Sequence, residues 1–181
     1  MQLDLDAAVI DGIDLSRFLP FVPPDYQEFF QKPAGQEHYR LLGHLSTLFN
    51  DITIVDVGTD AGCSAMALSH NPANRVVSYD IVNNRRTEID LPNVEFRIKD
   101  ALSDDDLLMA APLILLDTAH EGPYEHIFYQ SLAVSGYHGL LVLDDVYLNA
   151  EMRAFWDSIA HTKYDISAVG HWSGTGLVVF E

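Results

Sequence analysis

The chain has 181 residues, of which 48% are hydrophobic and 20% are charged, and this composition excludes an intrinsically disordered protein. Its formal net charge of −17 disfavours nucleic acids and anionic membrane surfaces as partners. The single cysteine, Cys63, excludes an internal disulfide, and no apolar run approaches the ~20 residues of a membrane span. The N-terminus is acidic where a signal peptide would be basic, so we expect a cytoplasmic protein.

Residues 1–35 differ in composition from the rest and are expected to form an N-terminal arm. Four prolines, at positions 20, 23, 24 and 33, forbid a long helix here. Aromatic side chains lie among them and need burial, which predicts that the arm packs on the core of residues 36–181 and covers a pocket. The alternative is a packed tail without a function. Arm and core are predicted to form a single domain over residues 1–181.

From residue 36 the chain alternates between helical and strand patterns. Helices are predicted over residues 36–49, 61–69, 123–135 and 149–160. Strands are predicted over residues 52–57, 75–80, 93–98, 112–117, 139–144, 163–169 and 176–180. Strands that alternate with helices form parallel sheets, whereas the Gly/Ser turn between the last two predicts an antiparallel hairpin. The expected fold is α/β, a Rossmann-like, doubly wound, mostly parallel sheet of seven strands with an antiparallel C-terminal hairpin.

Aspartates end four of the predicted parallel strands. They are Asp56, Asp80, Asp117, and Asp144 followed by Asp145. A carboxylate at the end of a strand is not core packing, and sheets of this kind bind ligands beyond the carboxyl ends of their strands. We therefore expect a row of carboxylates along one rim of the sheet, at a ligand site.

The turn after the first strand reads D-x-G-x-x-x-G-x-S-A from Asp56 to Ala65. Gly58 lets the backbone turn sharply, and Gly62 lets a ligand or a strand approach the start of the next helix. The spacing is not the G-x-G-x-x-G of dinucleotide sites, and Asp56 together with Asp60 would repel a diphosphate. The turn therefore suits a cationic ligand, and a nucleotide-dependent oxidoreductase is the disfavoured alternative.

This turn resembles the S-adenosylmethionine site of class I methyltransferases, in the form found in small-molecule O-methyltransferases of the catechol type. The macrocin-type and cephalosporin-hydroxylase-like branches are similar as well, because residues 117–120 match D-x-x-H and an acidic pair follows at residues 144–145. The resemblance covers about residues 36–180 and implies methyl transfer to a hydroxyl group of a small-molecule acceptor. A non-catalytic module that binds S-adenosylmethionine, or acts only through partners, is the alternative.

The resemblance also implies which residues bind the cofactor. Asp80 would accept hydrogen bonds from the ribose hydroxyls, as an acid at the end of a second strand also does in nicotinamide-binding folds. Asp100 would lie beside the adenine amino group. The implied cofactor residues are Asp56, Gly58, Thr59, Asp60, Gly62, Ser64, Asp80, Ile81, Asp100, Ala101 and Asp117.

Oxygen ligands on neighbouring strand ends suit a hard cation such as Mg²⁺. By the resemblance, the metal ligands would be Asp117, Asp144 and Asp145, and His120 would stand where catechol-type enzymes have a catalytic lysine. A histidine keeps a proton acceptor with a pKa near neutral, which makes His120 the candidate general base. The alternatives are a metal-free polar rim and a histidine that only supports its loop.

The remaining features are less decisive. A zinc site is not expected, because no His/Cys pair has ligand spacing in a suitable context. His38 lies near the expected pocket entrance, whereas His171 and Trp172 in the last loop receive no role. The link over residues 82–92 is short and polar, which leaves one wall of the pocket to the arm or to a second copy in a homodimer.

Overall fold

A computed structural model describes residues 4–181, so the first three residues of the predicted arm lie outside the described part. The strands are β1 Thr53–Val57, β2 Arg75–Asp80, β3 Val94–Ile98, β4 Leu113–Leu116, β5 Gly139–Asp144, β6 Thr162–Asp165 and β7 Thr175–Phe180. They form one sheet in the order β3-β2-β1-β4-β5-β7-β6. Strands β1 to β5 are parallel, and β7 runs antiparallel to β5 and β6. The predicted doubly wound sheet with its antiparallel C-terminal hairpin is thereby confirmed.

Both faces of the sheet are buried. The α-helices of the described part are α1 Ala7–Asp11, α2 Gln27–Phe30, α3 Tyr39–Thr47, α4 Cys63–Leu68, α5 Asp105–Ala110, α6 Pro123–Ser135 and α7 Ala150–Ser158. Ile54 of β1 belongs to a core with residues of α3 and α4, and the next residue, Val55, belongs to a core with residues of α6 and α7. Burial on both faces explains why the central strands are almost continuous apolar runs. None of the helices in residues 4–181 has the length and apolar character needed to cross a bilayer.

Local signals account for the boundaries of most elements. Helix α6 begins at Pro123 and is followed by Gly136 in the left-handed region (φ 70°), as the Pro/Gly asymmetry of helix ends predicts. Several predicted elements were too long by a few residues, and the start of α3 and the end of β6 differ most. Helix α3 begins only at Tyr39, after a turn closed by a hydrogen bond from the Gln36 N–H to the Pro33 carbonyl (3.1 Å). Strand β6 ends at Asp165, since that carboxylate accepts the N–H of residue 167 (3.0 Å) and starts a turn.

The N-terminal arm packs on the same side of the sheet as α3 and α4. Phe18 and Phe30 are each 1% exposed, and their rings meet edge to face with centroids 6.3 Å apart. This geometry is favourable for aromatic pairs. The prolines confine the arm to α1, α2 and a 3₁₀ turn over Ser16–Phe18. The arm is thus anchored through its aromatic side chains and not through long helices.

Phe30→Ala is expected to lower the free energy of unfolding by about 3–5 kcal/mol, because it leaves a cavity in a packed core. Phe29→Ala is the matched control, since Phe29 is next to it in α2 but 43% exposed. That control substitution should lower the free energy of unfolding by less than about 1 kcal/mol. Urea unfolding of the two variants measures the difference. Equal losses would show that the arm does not take part in the cooperative core.

Candidate functional site

A cavity of about 610 Å³ lies at the carboxyl ends of the central strands. It is lined by the turn after β1, the end of β2 and the loop after β4. The order of the sheet reverses between β1 and β4, and doubly wound sheets bind their ligands at such a switch point. The volume is in the range of sites for small molecules and cofactors. Topology and volume together make this cavity the candidate binding site.

The cavity brings together most of the residues that the sequence predicted for the cofactor. Those that line it are Gly58, Thr59, Asp60, Ser64, Asp80, Ile81, Asp100, Ala101 and Asp117. Asp56 and Gly62 do not belong to its lining. Gly62 has φ 86°, and a Cβ there would lie 2.5 Å from a side-chain atom of Ile89, so its glycine serves close packing at the start of α4.

The expected position of Asp56 on the rim was wrong. β1 continues to Val57, and the Asp56 side chain is fully buried below the cavity. Its Oδ2 atom accepts hydrogen bonds from the hydroxyls of Ser64 (3.1 Å) and Ser78 (2.5 Å). Burial raises the pKa of Asp56 to about 7, although the two hydroxyls act in the opposite direction. Asp56 joins β1 to α4 and β2 beneath the site.

Hydrogen bonds to β2 fix the turn after β1. The N–H groups of Gly58 and Thr59 donate to the carbonyl of Tyr79 (2.8 and 3.1 Å). The N–H of Asp60 donates to Oδ2 of Asp80 (3.0 Å), whose Oδ1 accepts the N–H of residue 82 (3.0 Å). Each carboxylate oxygen can accept a second hydrogen bond, so Asp80 is oriented and still able to accept a ligand hydroxyl.

The arm contributes one wall of the cavity. Tyr26 of the arm and Tyr39 of α3 both line it. The Tyr26 hydroxyl donates to Oδ2 of Asp60 (2.7 Å), and this hydrogen bond, with burial, raises the pKa of Tyr26 to about 12. Of the two sources that the sequence left open for this wall, the arm is the one seen in the structure. The homodimer stays a prediction.

Tyr124 of α6 also lines the cavity. Its hydroxyl donates to Oδ1 of Asp100 (2.7 Å), which also accepts the N–H of Leu102 (3.0 Å). Asp100 is therefore held at the edge of the cavity by two hydrogen bonds. Its second carboxylate oxygen makes no hydrogen bond within residues 4–181 and is available to a ligand amino group.

The loop that carries His120 is held by a buried glutamate. Glu125 is 2% exposed and accepts hydrogen bonds from the Thr118 hydroxyl (2.7 Å) and the His120 N–H (2.9 Å). The Asn149 side-chain amide donates to the His120 carbonyl (2.8 Å). His120 has φ 56° and Asp145 has φ 59°, a conformation that costs of order 1–3 kcal/mol in non-glycine residues and clusters at functional sites.

Three histidines and four carboxylates form a cluster beside the cavity, which we call the His/carboxylate cluster. Its members are Glu37, His38, Asp117, His120, Asp144, Asp145 and His171. The predicted metal residues are among them. Asp117 and His120 also line the cavity, so they connect the cluster to the binding site.

Short distances link the histidines to the carboxylates. His120 Nε2 lies 3.1 Å from Oδ1 of Asp117, and His120 Nδ1 lies 3.4 Å from Oδ2 of Asp145. His38 Nδ1 lies 3.2 Å from Oδ1 of Asp144. His171 Nδ1 lies 2.9 Å from Oδ1 of Asp145. His38, His171 and Glu37 were not predicted as ligands, because no sequence spacing relates the start of α3 to the loop before β7.

The cluster stabilises positive charge. Within residues 4–181 its carboxylates form ion pairs with histidines and with no lysine or arginine. Burial would lower the pKa of His38, but Asp144, Asp117 and Glu37 outweigh it and raise that pKa to about 9. Burial would raise the pKa of Asp144, yet His38 and His171 hold it below its usual range. Burial and repulsion from Asp144 raise the pKa of Asp117.

The donor set fits a divalent cation. His38, Asp117 and Asp144 present ligand atoms within 4.8 Å of one another, and so do His120, Asp144 and Asp145. The ring nitrogens of His38 and the Oδ1 atom of Asp144 are buried and have no hydrogen-bond partner in the described part of the chain. Buried polar atoms nearly always have a partner, and a coordinated ion would provide one.

Comparison with known proteins bears on the fold. No protein-family profile matches the chain, and no curated protein matches it either. A methyltransferase from Geobacter sulfurreducens superposes with a TM-score of 0.62 at 16% identity, over 96% of this chain and 96% of that one. The O-methyltransferase of Streptomyces achromogenes involved in tomaymycin synthesis, in complex with S-adenosylmethionine, superposes with a TM-score of 0.60 at 17% identity. The superposition covers 97% of this chain and 94% of that one. The O-methyltransferase of Bacillus cereus, in complex with S-adenosylhomocysteine, superposes with a TM-score of 0.59 at 17% identity, over 97% of this chain and 94% of that one.

The chain has the fold of the class I methyltransferases. Superposition at these identities establishes the fold, whereas the chemistry must come from the site itself. In this methyltransferase fold the switch-point cavity and the His/carboxylate cluster lie side by side. The two features together are the basis for a functional proposal.

Proposed function

We propose that this chain transfers a methyl group from S-adenosylmethionine to a hydroxyl group of a small molecule. The observation that carries the proposal is the cavity at the switch point of a methyltransferase fold, lined by the turn of residues 58–60 together with Asp80 and Asp100. The acidic side chains along the cavity suit a cationic ligand and disfavour a diphosphate. A nicotinamide-dependent oxidoreductase is therefore the poorer fit.

The cavity lining has groups for different parts of the cofactor. S-adenosylmethionine supplies a methyl group on a positively charged sulfur. Asp80, oriented by the N–H of Asp60, is proposed to accept the ribose hydroxyls. Asp100, held by Tyr124, is proposed to accept the adenine amino group. Ile81 is 73% exposed beside the cavity and offers an apolar surface to the base.

The finer proposal concerns the acceptor side. A divalent metal held by Asp117, Asp144 and Asp145 would lower the pKa of an acceptor hydroxyl. His120 is proposed to take the hydroxyl proton. Burial would lower the pKa of His120, but Asp117 and Asp145 outweigh it and raise that pKa above 6.5, which strengthens His120 as a base. Glu125 holds the His120 backbone, and His120 lines the cavity.

Calorimetric titration with S-adenosylmethionine, with NADH as the comparison ligand, tests the proposal. We expect binding of the sulfonium cofactor and none of NADH. Asp80→Ala should weaken the binding at least about 10-fold, because hydrogen bonds to a charged group contribute about 1.5–3 kcal/mol each. Asp90→Ala is the matched control, since Asp90 is an exposed carboxylate in the link between β2 and β3. Binding of NADH, or equal effects of the two variants, would contradict the proposal.

A second measurement separates an enzyme from a module that only binds the cofactor. Small molecules with vicinal hydroxyl groups are screened with the protein and S-adenosylmethionine, and the release of S-adenosylhomocysteine is followed. An enzyme releases it in step with a methylated product. A binding module gives the calorimetric signal and no release.

A further inference from the structure

We infer that the metal of the His/carboxylate cluster is a first-row transition-metal dication and not magnesium, and that His38 coordinates it in addition to the aspartates, beside Asp117 and Asp144. The inference rests on the proposed function only for the role of the metal in methyl transfer. The metal site itself follows from the burial, the distances and the donor types of the cluster.

The first observation is that both ring nitrogens of His38 and one carboxylate oxygen of Asp144 are buried without hydrogen-bond partners. Each residue is 4% exposed, and neither ring nitrogen of His38 nor Oδ1 of Asp144 has a hydrogen bond within residues 4–181. An unpaired buried polar group costs about 1–3 kcal/mol. His38 Nδ1 and Asp144 Oδ1 nevertheless face each other at 3.2 Å. A metal ion coordinated by both residues would offset the cost of burying these unpaired atoms.

The second observation is the spacing of the donor atoms. Two ligands at right angles around a metal with bonds of about 2.1 Å lie about 3 Å apart. In the cluster, His38 Nδ1 lies 3.2 Å from Oδ1 of Asp144, whereas the other ring nitrogen, Nε2, lies 3.8 Å from Oδ2 of Asp117. One donor atom from each of His38, Asp117 and Asp144 lies within 4.8 Å of the other two, so small side-chain shifts would bring all three onto one ion. Because carboxylates flank both ring nitrogens of His38, one nitrogen can bind the metal while the other donates to a carboxylate, as metal-binding histidines usually do.

The third observation is the type of donor. Magnesium takes oxygen ligands and keeps several waters, so the aspartates alone would satisfy it. Imidazole nitrogens suit zinc, iron and nickel. Here His38 is buried among the carboxylates, with the ring of His171 centred 5.7 Å away and His120 on the other side of Asp117. The imidazoles favour a transition metal over magnesium.

Metal titration of the chelator-treated, full-length protein tests the inference. We expect Zn²⁺ and Co²⁺ to bind much more tightly than Mg²⁺, and Co²⁺ to give visible absorption bands typical of nitrogen ligation. His38→Gln should weaken Co²⁺ binding by about 10–100-fold and shift these bands. His126→Gln is the matched control, because His126 is exposed on α6, away from the cluster. It should bind Co²⁺ like the unmodified chain.

Three results would overturn the inference: Mg²⁺ binding as tightly as Zn²⁺, the absence of metal binding, or unchanged Co²⁺ affinity in a folded His38→Gln. If that variant does not fold, the Zn²⁺/Mg²⁺ preference of the unmodified chain and an Asp144→Asn variant decide the question. Titration of the same samples with S-adenosylmethionine separates the two proposals. If the protein binds S-adenosylmethionine but binds neither Zn²⁺ nor Co²⁺, this inference is refuted and the proposed function stands. If it binds Zn²⁺ and Co²⁺ but not S-adenosylmethionine, the proposed function alone is refuted.

Discussion

Replacing Gly58 with alanine is expected to reduce the free energy of unfolding by more than about 4 kcal/mol, which places the variant among the most damaging single substitutions. Gly58 has φ 107°, and a Cβ at this position would lie 1.5 Å from the carbonyl oxygen of Asp117. That oxygen cannot easily retreat, because the N–H of Asp117 donates to the carbonyl of Val57 (2.8 Å). The clash therefore falls on the backbone that joins β1 to β4.

Gly136→Ala is the matched control for Gly58→Ala. Gly136 also has a positive φ, of 70°, but a Cβ there would meet no atom within 4 Å. Its substitution should cost about 1–2 kcal/mol, the price of a left-handed backbone alone. The difference in the free energy of unfolding between the two variants, measured with urea, gives the cost of the steric clash between the Gly58 turn and the Asp117 backbone. Similar losses would mean that the turn after β1 relaxes around an added methyl group.

The sheet and most of the helices could be predicted because the signals that define them are local. α6 has a proline at its first position and a glycine after its last, and β5 has the predicted bounds, residues 139–144. Alternation of strands and helices also predicts a parallel sheet. The end of β6 could not be predicted from the sequence. One hydrogen bond to the Asp165 side chain ends the strand, although the sequence pattern typical of a strand continues beyond it.

The site could be predicted only where its residues follow strands. β4 and β5 are neighbours in the sheet, so Asp117, Asp144 and Asp145 come together as a consequence of topology. His38 precedes α3 and His171 lies in the loop before β7, and only tertiary packing brings these two rings to 5.7 Å. No periodicity or spacing in a single sequence carries that information.

Asp56 shows a different limit. The first strand was predicted to end at Val57 and does so, but Asp56, one residue earlier, was expected on the rim. Side chains of a strand alternate between the two faces of the sheet. Asp56 shares the face of Ile54 and points at Ser64 of α4, whereas Val55 and Val57 belong to the opposite core. A carboxyl group one residue before the strand end is inside the core and not on the rim. Its burial has a consequence for stability.

Asp56→Asn is expected to remove a large part of the pH dependence of stability between pH 4 and pH 7. Burial raises the pKa of Asp56 from 3.8 to about 7 in the folded chain. The folded state then holds its proton where the unfolded state has released it, so the free energy of unfolding falls as the pH rises through this interval. The shift corresponds to a loss of about 4 kcal/mol, at no more than about 1.4 kcal/mol per pH unit.

The asparagine variant keeps a neutral side chain of the same shape at every pH. Its amide can exchange hydrogen bonds with the hydroxyls of Ser64 and Ser78, which rotate to donate or accept. We therefore expect the variant to match the unmodified chain near pH 4 and to exceed it by up to about 4 kcal/mol at pH 8. Urea unfolding at pH 4.5, 6 and 8 measures the difference, with Asp90→Asn as an exposed control.

The histidines of the cluster do not obscure this test. Their carboxylate partners raise the pKa of His38 to about 9 and that of His171 to about 10 against the effect of burial. A raised histidine pKa contributes stability that is complete below about pH 6.5 and is lost toward pH 9–10. That contribution is common to the unmodified chain and to Asp56→Asn, so it cancels in their difference. Parallel stability curves from pH 4.5 to 8 would show that the Asp56 carboxyl is ionised in the folded protein, with the hydroxyls of Ser64 and Ser78 sufficient to hold its charge.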